Sequence, residues 1–315
     1  MPHIEWGFLI VNYLFLGGLS AGLFFVSALA SYLQDRDERS YERIARYGAI
    51  LAPWPVAIGS SLLIFDLGNW YRFGLLFLHF RWQSPMSIGS WLLLLFTGLA
   101  FVYLWSWLAP EDRNAIFARL KLPAKFNYDL SAHRRLIAAV GFPLSICVAI
   151  YTGVLLGAVQ ARPFWNTNLV AQMFLFSALS TGCALLIVVL SLRRPRLDAT
   201  QLRFLYTLDI CMITLEFFIV LPYLIHGELS VKPVKDSLEL ILGGPYTFAF
   251  WVLFMGAGLL TPLVLEVWEM LPVVRSGAAL HHNRRLAAVS GTLVVFGGFM
   301  LRYIFVYAGQ VSAFR

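Results

Sequence analysis

The stretch "GFLIVNYLFLGGLSAGLFFVSALASYL", residues 7–33, contains no charged side chain. A helix rises about 1.5 Å per residue, so a segment of this length can cross a hydrocarbon core about 30 Å thick. Seven further apolar stretches follow it. We number the eight predicted helices spans 1 to 8, at approximately 7–33, 44–66, 86–108, 136–158, 170–192, 204–226, 246–270 and 286–308. The sequence therefore predicts an all-α polytopic membrane protein with eight transmembrane helices.

The basic residues predict how the chain is oriented. Of its 24 Lys and Arg residues, 17 lie in four segments on one side of the predicted membrane: 34–46, 113–135, 193–203 and 275–285. Basic loops mark the cytoplasmic side, so both termini are expected outside. This placement also accounts for the net charge of +7. We therefore expect membrane lipids around the chain and no nucleic acid partner.

The two halves of the chain resemble each other in order. At an offset of 160 residues, "GGLSAG" (17–22) aligns with "SALSTG" (177–182). At the same offset, "SPMSIGSWLLLLFTGL" (84–99) aligns with "GPYTFAFWVLFMGAGL" (244–259). Both alignments pair a span of the first half with the span four places later. The pattern indicates an internal repeat of four spans.

A third alignment extends the repeat and suggests the domain division. "RRLIAAVG" (134–141) aligns with "RRLAAVSG" (284–291) at an offset of 150 residues. Copies with four spans each share one orientation, so an axis along the membrane normal should relate them. We predict two tandem four-helix bundles: residues 1–135 with helix 136–158, and residues 159–315.

The histidines and cysteines argue against bound metal. All six histidines fall in predicted loops or at helix ends, whereas a membrane haem b needs histidine ligands well inside the helices. The three cysteines lie in different predicted helices without paired spacing. We therefore expect no haem, no iron–sulfur cluster, no other metal site and no disulfide in this chain.

Polar side chains of the first bundle gather near the outer face. Asn12 and Tyr13 of span 1 and Tyr151 of span 4 lie about 8–10 Å inside their helix ends. Interfacial anchoring explains such residues one at a time. As a group that includes a carboxylate they favour a buried site, whose members are Asn12, Tyr13, Asp66, His79, Tyr151 and Thr152.

Span 6 carries a second polar set. Asp209, Glu216 and Tyr223 are seven residues apart and so share one helix face, and His226 follows at the outer end. A carboxyl group near the middle of a bilayer is costly, which makes Glu216 a functional candidate. The line from Asp209 to His226 is consistent with a proton relay, or with interhelical hydrogen bonds that only hold the bundle together. Glu266 and Glu269 close the predicted span 7 and could feed such a relay or be solvated.

One arginine stands inside span 8. Arg302 lies in "GGFMLRYIFVYAGQ" (297–310), about 9 Å from the outer end of its helix. At the offset of 150 residues it aligns with Thr152. Its side chain could snorkel to the interface or form a buried ion pair. We interpret it as a structural or electrostatic counterpart of a first-bundle site position.

Six motifs in order resemble the polysulfide-reductase membrane-subunit family of the NrfD/PsrC type. They are "NYLFLGGLSAG", "FDLGNWYRF", "SPMSIGSWLL", "YTGVLL", "PFW" and "GGFMLRYIFVYAGQ", and they cover nearly the whole chain. The resemblance implies two four-helix bundles. It also implies a membrane subunit that binds menaquinone or ubiquinone and carries no redox cofactor of its own.

The resemblance further implies partners and site roles. A ferredoxin-like iron–sulfur subunit would dock on the outer face, and a molybdopterin catalytic subunit or a multihaem cytochrome would complete the complex. The location would be the cytoplasmic (inner) membrane of a bacterium or archaeon. By motif, Tyr151 would bind the quinone headgroup, with Asn12 and Tyr13 near the span 1 ligands and Asp66 as proton partner.

Other functions remain open from the residues alone. A secondary transporter also has internal repeats and carboxyl groups in the membrane, but its site commonly lies near the midplane. The polar residues of the first bundle lie toward one face, which favours a quinone site. A non-catalytic anchor for soluble subunits and a proton-pumping module are the remaining alternatives.

Overall fold

The structure, a computed structural model, describes residues 6–33, 38–66, 80–121, 123, 127–194, 197–276 and 283–312. Within these ranges the chain is helical, with no strand, and it contains eight helices long and apolar enough to cross a membrane. The predicted all-α fold with eight spans is confirmed. The spans are Phe8–Leu33, Glu38–Leu51 with Pro53–Asp66, Pro85–Trp107, Arg134–Gly157, Leu169–Leu192, Ala199–Glu228, Ala249–Leu260 with Thr261–Ser276, and Arg284–Val311.

Two spans are interrupted. Span 2 breaks at Pro53, which lacks the backbone N–H that would continue the helical hydrogen bonds. The hydroxyl of Ser20 in span 1 donates to the carbonyl of Ala52 at this break. In span 7, residues Ala249–Leu260 form a π-helix before the α-helix resumes at Thr261. Such π-helical segments are rare and often occur at functional sites.

Shorter helices lie between the spans. Helix Pro110–Leu120 and the 3₁₀ turn Ser131–His133 connect spans 3 and 4. Residues 227–245, between the predicted spans 6 and 7, are largely helical, because span 6 continues to Glu228 and a further helix covers Lys232–Leu242. Between spans 2 and 3, residues 67–79 lie outside the described ranges.

The spans pack in a repeated pattern. Span 1 contacts spans 2 and 4, and span 4 contacts span 3; span 5 contacts spans 6 and 8, and span 8 contacts span 7 in the same way. Spans 1 and 5 pack against each other at the centre, and spans 4 and 8 each touch the central span of the other half. This arrangement fits an axis that exchanges the halves. The domain boundaries at residues 158 and 159 stay a prediction.

Two repeat-related glycines meet at this central contact. A methyl group on Gly22 would lie 2.0 Å from the carbonyl oxygen of Ala178, and one on Gly182 would lie 2.2 Å from the carbonyl carbon of Gly22. Only glycine permits so close an approach of the two backbones, as small-residue motifs do between membrane helices. The aligned motifs 17–22 and 177–182 thus contact each other.

A second pair of contacts follows the two alignment offsets. Gly141 of span 4 packs against the ring of Phe24 in span 1, and Gly291 of span 8 packs against the backbone of Ala184 in span 5. Gly141 and Gly291 are 150 residues apart, while Phe24 and Ala184 are 160 apart. The same helix contact therefore occurs in both halves.

The two ends of the described chain lie together. The backbone N–H of Trp6 donates to Oε1 of Gln310 at 2.8 Å, and Nε2 of Gln310 donates to the carbonyl of Trp6 at 2.9 Å. The indole of Trp6 stacks on Trp165 from the connection between spans 4 and 5. Both termini thus occupy the same side of the protein. That this side faces outward remains a prediction.

Candidate functional site

Two buried tyrosines form the centre of the first-bundle site. Tyr13 of span 1 is 1% exposed and Tyr151 of span 4 is 7% exposed, and their phenol groups lie next to each other. Tyr13 lies five residues from the start of span 1 and Tyr151 six residues from the end of span 4, so both are about 8–9 Å inside the same side of the protein. The hydroxyl of Tyr13 is buried and makes no hydrogen bond of ordinary geometry among the described residues, although the Tyr151 hydroxyl lies beside it. An unpaired buried hydroxyl is the kind of group that a polar ligand atom satisfies.

Glycines in the neighbouring spans make room for the tyrosines. A methyl group on Gly89 of span 3 would lie 1.7 Å from Cζ and 1.8 Å from the hydroxyl oxygen of Tyr151. Gly59 of span 2 packs on the backbone of Tyr13. Four spans therefore meet at this pair. Gly89 is not among the predicted site residues, although "SPMSIGSWLL" is one of the motifs in the resemblance, because its role depends on the position of the Tyr151 ring.

Thr152 and Asn12 use their polar groups within their own helices. The hydroxyl of Thr152 donates to the carbonyl of Ala149 at 2.7 Å, and its methyl group faces Gly17. Nδ2 of half-buried Asn12 donates to the carbonyl of Phe8 at 2.8 Å. Of the polar atoms of these two side chains, the side-chain oxygen of Asn12 is the one that could accept a hydrogen bond from a ligand.

The remaining predicted members of this site are not described. Asp66 is the last residue of span 2, and its side chain lies outside the described part of the structure. His79 falls in 67–79 and also lies outside it. The structure therefore brings Tyr13 and Tyr151 together and places Thr152 against Gly17 of span 1, whereas Asn12 is half-buried and bonds within its own helix.

Three of the four polar residues predicted to line span 6 lie on a buried face of that helix. Asp209, Glu216 and Tyr223 are all buried, whereas His226 is exposed. The hydroxyl of Tyr223 donates to the carbonyl of Phe164 at 2.9 Å. That bond ties span 6 to the connection between spans 4 and 5.

Glu266 joins the span 6 carboxyl groups. It is 1% exposed, it lies next to Asp209, and its Oε1 accepts a hydrogen bond of 2.7 Å from Ser290. Asp209 is also near Glu216. We call Asp209, Glu216 and Glu266 the carboxyl cluster. Both Oδ atoms of Asp209, Oε1 of Glu216 and Oε2 of Glu266 are buried and make no hydrogen bond of ordinary geometry among the described residues.

The sequence prediction places the end of span 7 too early. Span 7 continues to Ser276, so Glu266 lies about 15 Å from its end rather than at it. Glu269 lies one turn nearer the side of the protein that carries most of the Lys and Arg residues, which we call the basic side. It is half-buried and accepts a hydrogen bond of 2.5 Å from the hydroxyl of Tyr206. Glu269 thus lies between the solvent-exposed end of span 7 and the carboxyl cluster.

Arg302 is held inside the protein. Its side chain is 0% exposed, which rules out the predicted alternative of snorkelling. Nη1 donates to Oγ of Ser177 at 2.6 Å and to the carbonyl of Gly298 at 2.8 Å, and the guanidinium lies 5.0 Å from the ring centre of Phe174. The carboxyl group of Glu216 lies near the guanidinium.

The repeat accounts for the position of Arg302. Thr152 faces Gly17, and Arg302 contacts Ser177. Gly17 and Ser177 are 160 residues apart, and Thr152 and Arg302 are 150 apart. One structural position therefore carries a threonine beside the tyrosine pair in the first half and an arginine beside Glu216 in the second.

A metal centre is not evident in the part of the chain that is described. Within those residues, no group of three or more His, Cys, Asp or Glu side chains is arranged to hold a metal ion.

Comparison with known proteins places the chain in a family. The family model "Polysulphide reductase, NrfD" matches residues 1–313. Protein NrfD of Escherichia coli is 30% identical, over 98% of this chain and 97% of its own length. A polysulfide reductase subunit of Wolinella succinogenes is 29% identical, over 98% of this chain and 95% of its own length.

The name of a more distant relative includes the word menaquinol. The Hdr-like menaquinol oxidoreductase integral membrane subunit of Archaeoglobus fulgidus is 24% identical, over 84% of this chain and 62% of its own length. The family match spans nearly the whole sequence and agrees with the eight membrane helices of the fold. The chain is therefore a multi-pass membrane protein of the polysulphide reductase NrfD family.

Proposed function

We propose that this protein is the quinone-reactive membrane subunit of a respiratory oxidoreductase complex, and that the headgroup binds at Tyr13 and Tyr151. The observation that carries the proposal is the buried phenol pair, in which the Tyr13 hydroxyl lacks a hydrogen bond of ordinary geometry. The name of the Archaeoglobus relative, a menaquinol oxidoreductase subunit, supports a quinol as substrate. We expect menaquinone or ubiquinone, in the cytoplasmic membrane of a bacterium or archaeon.

The chemistry of the pair suits this substrate. Quinol oxidation releases two electrons and two protons, and quinone reduction takes them up. A phenol can donate a hydrogen bond to a quinone oxygen, or accept one from a quinol hydroxyl, and so hold the proton that moves as the electrons leave. The surrounding apolar spans suit the ring and its isoprenoid tail, while a few polar groups fix the headgroup. Asn12 and Asp66 are the further polar groups that we assign to this site.

The same proposal requires partner subunits to carry the electrons. We propose that a ferredoxin-like iron–sulfur subunit docks on the side that carries Trp6 and Gln310, which is the side nearest the tyrosine pair. A molybdopterin catalytic subunit or a multihaem cytochrome would then hold the terminal substrate. The names polysulfide reductase and selenate reductase among the relatives support a reductase complex.

We also propose that the carboxyl cluster moves protons. The cluster has four oxygens that lack a hydrogen bond of ordinary geometry, and the half-buried Glu269 lies beside it. Together these side chains form a series of polar groups that runs from the basic side to Glu216. A carboxyl group can bind and release a proton at each step, and the guanidinium of Arg302 lies near Glu216 at the end of the series. His226, which would follow Tyr223 in the predicted relay, is exposed and so is not part of the buried series. A proton route on the basic side is therefore better supported than one through Tyr223.

Ligand binding by the purified protein tests the quinone proposal. A fluorescent quinone analogue added to the full-length protein in detergent should be quenched saturably, and an excess of unlabelled menaquinone should reverse the effect. A non-catalytic anchor or an unrelated transporter would show only the non-saturable quenching of empty micelles, which would refute the proposal.

A further inference from the structure

A basic cavity opens at the opposite end of the protein from Trp6 and Gln310. It has a volume of about 570 Å³ and lies between the start of span 2 and the end of span 5. Arg43, Arg46 and Arg193 line it together with a single acidic residue, Glu42. Arg46 and Arg193 are the exposed arginines of this lining, and their positive charge favours an anionic ligand.

A tyrosine positions two of these arginines. The guanidinium carbon of Arg43 lies 5.9 Å, and that of Arg193 5.5 Å, from the ring centre of Tyr47. Cation–π contacts of this length hold the two side chains against one ring although they come from different spans. The cavity is thus a built site rather than a set of independent surface arginines.

A second, smaller cavity adjoins the first. It measures about 260 Å³ and shares Glu42 and Arg46 with the larger one. Arg134 lines it, with its guanidinium 4.5 Å from the ring centre of Trp107. Arg46 therefore stands between two basic cavities.

The other arginine of the smaller cavity is already neutralised. Nη1 of Arg113 donates to Oδ1 of Asp129 at 2.8 Å, and this bond lowers the pKa of Asp129 to about 2. Asp129 is thus ionised at neutral pH and balances the charge of Arg113. Arg46 and Arg134 remain as the groups of this cavity that favour an anion.

The wall of the larger cavity leads onto the apolar surface of the protein. Ile50 and Leu51 line this cavity, about one turn beyond Arg46 along span 2. Beyond the break of span 2 at Pro53, Trp54 is 54% exposed and Ile58, one turn later on the same helix face, is 53% exposed. Exposed apolar side chains therefore follow the cavity along span 2, and we call Trp54 and Ile58 the apolar strip.

We propose that these cavities bind the phosphate headgroup of an anionic phospholipid, with an acyl tail along Trp54 and Ile58. Basic pockets between membrane helices are suited to anionic headgroups. A soluble phosphate would use the arginines but not the apolar strip. An acidic protein segment would also leave the strip exposed to lipid, so the structure favours the phospholipid.

Native mass spectrometry of the full-length protein in mild detergent tests this site. Phosphatidylglycerol should be retained in preference to phosphatidylcholine. The double variant Arg46→Gln/Arg193→Gln should bind phosphatidylglycerol about 30-fold more weakly, since each basic residue near a membrane surface changes the affinity for anionic lipid by about fivefold. Both arginines are exposed, so the variant should fold normally.

Two controls decide how the result is interpreted. Arg285→Gln removes an exposed arginine that lines neither cavity and should leave lipid retention unchanged. Glycerol phosphate, added as a soluble headgroup, should displace the lipid only at far higher concentration. Equal retention of both lipids, unchanged retention in the double variant, or displacement by glycerol phosphate at the concentration of the lipid would each overturn the proposal.

Discussion

Gly89 of span 3 lies directly against the phenol ring of Tyr151 in span 4, so that a methyl group on Gly89 would stand 1.7 Å from Cζ. The tyrosine can occupy its buried position only because span 3 has no side chain there. Since Tyr151 faces Tyr13, this glycine controls the shape of the proposed headgroup site without a polar atom of its own.

Gly89→Ala should therefore impair quinol turnover. The methyl group must displace the Tyr151 ring, and a displacement of about 1 Å at a reacting centre lowers rates on the order of 100-fold. The measurement is quinol-dependent reduction of the terminal acceptor by the intact complex. Gly98→Ala in the same span is the matched control, because a methyl group there meets nothing within 4 Å. Equal activity of the two variants would count against the site.

Tyr151→Phe should reduce turnover while the complex still assembles. The ring remains in place, so packing against Gly89 is preserved, and only the hydroxyl is lost. Removing one hydrogen bond or proton acceptor at the headgroup should lower kcat/KM for quinol by about 10- to 100-fold. Steady-state kinetics over a range of quinol concentrations measure this effect. Tyr32→Phe, at an exposed tyrosine of span 1, should leave kcat/KM unchanged. Wild-type kinetics for Tyr151→Phe would remove the residue from the mechanism.

Glu216→Gln should separate proton transfer from electron transfer. The amide keeps the shape of the side chain but cannot carry a proton, so the route through the carboxyl cluster is interrupted. We expect fewer protons moved per electron in sealed vesicles, with quinol oxidation retained when the membrane is uncoupled. Glu228→Gln, at an exposed residue of the same span that pairs with Lys235 at 2.9 Å, is the control. An unchanged proton stoichiometry would remove the relay and leave the quinone proposal intact.

Arg302 and Glu216 should be coupled energetically. Arg302→Met deletes the buried cation near Glu216 and leaves Ser177 without its donor. Adding Glu216→Gln removes the carboxylate that the cation favours, so the double variant should be more stable than the sum of the single variants implies. A double-mutant cycle on the free energy of unfolding should give a coupling of about 0.5–3 kcal/mol. Strict additivity would mean that Arg302 serves only to bind Ser177 and the neighbouring carbonyls.

The features that sequence predicts best depend on local patterns. The eight spans follow from apolar length, and the packing pattern agrees with the repeat because the aligned motifs occupy equivalent helix contacts. The clearest case is Gly22 and Gly182, which align in the sequence and lie against each other in the structure. Small residues at such a contact are visible in the sequence before the fold is known.

The features that sequence predicts poorly depend on tertiary neighbours. The sequence places Glu266 at the end of span 7, whereas it is buried beside Asp209 and Ser290. Its burial depends on the length of span 7 and on side chains from two other spans, and no local pattern encodes either. The role of Gly89 escapes prediction for the same reason. The break in span 2 at Pro53 does have a signal, because proline ends helical hydrogen bonding.

Photolabelling with an azido-quinone most directly tests the central claim that the tyrosine pair binds the headgroup. The labelled full-length protein is digested, and the modified residues are mapped by mass spectrometry with and without excess menaquinone. The account predicts competable labels on spans 1, 3 and 4 around Tyr13, Gly89 and Tyr151. Competable labelling confined to spans 5 to 8, around Glu216 and Arg302, would contradict it.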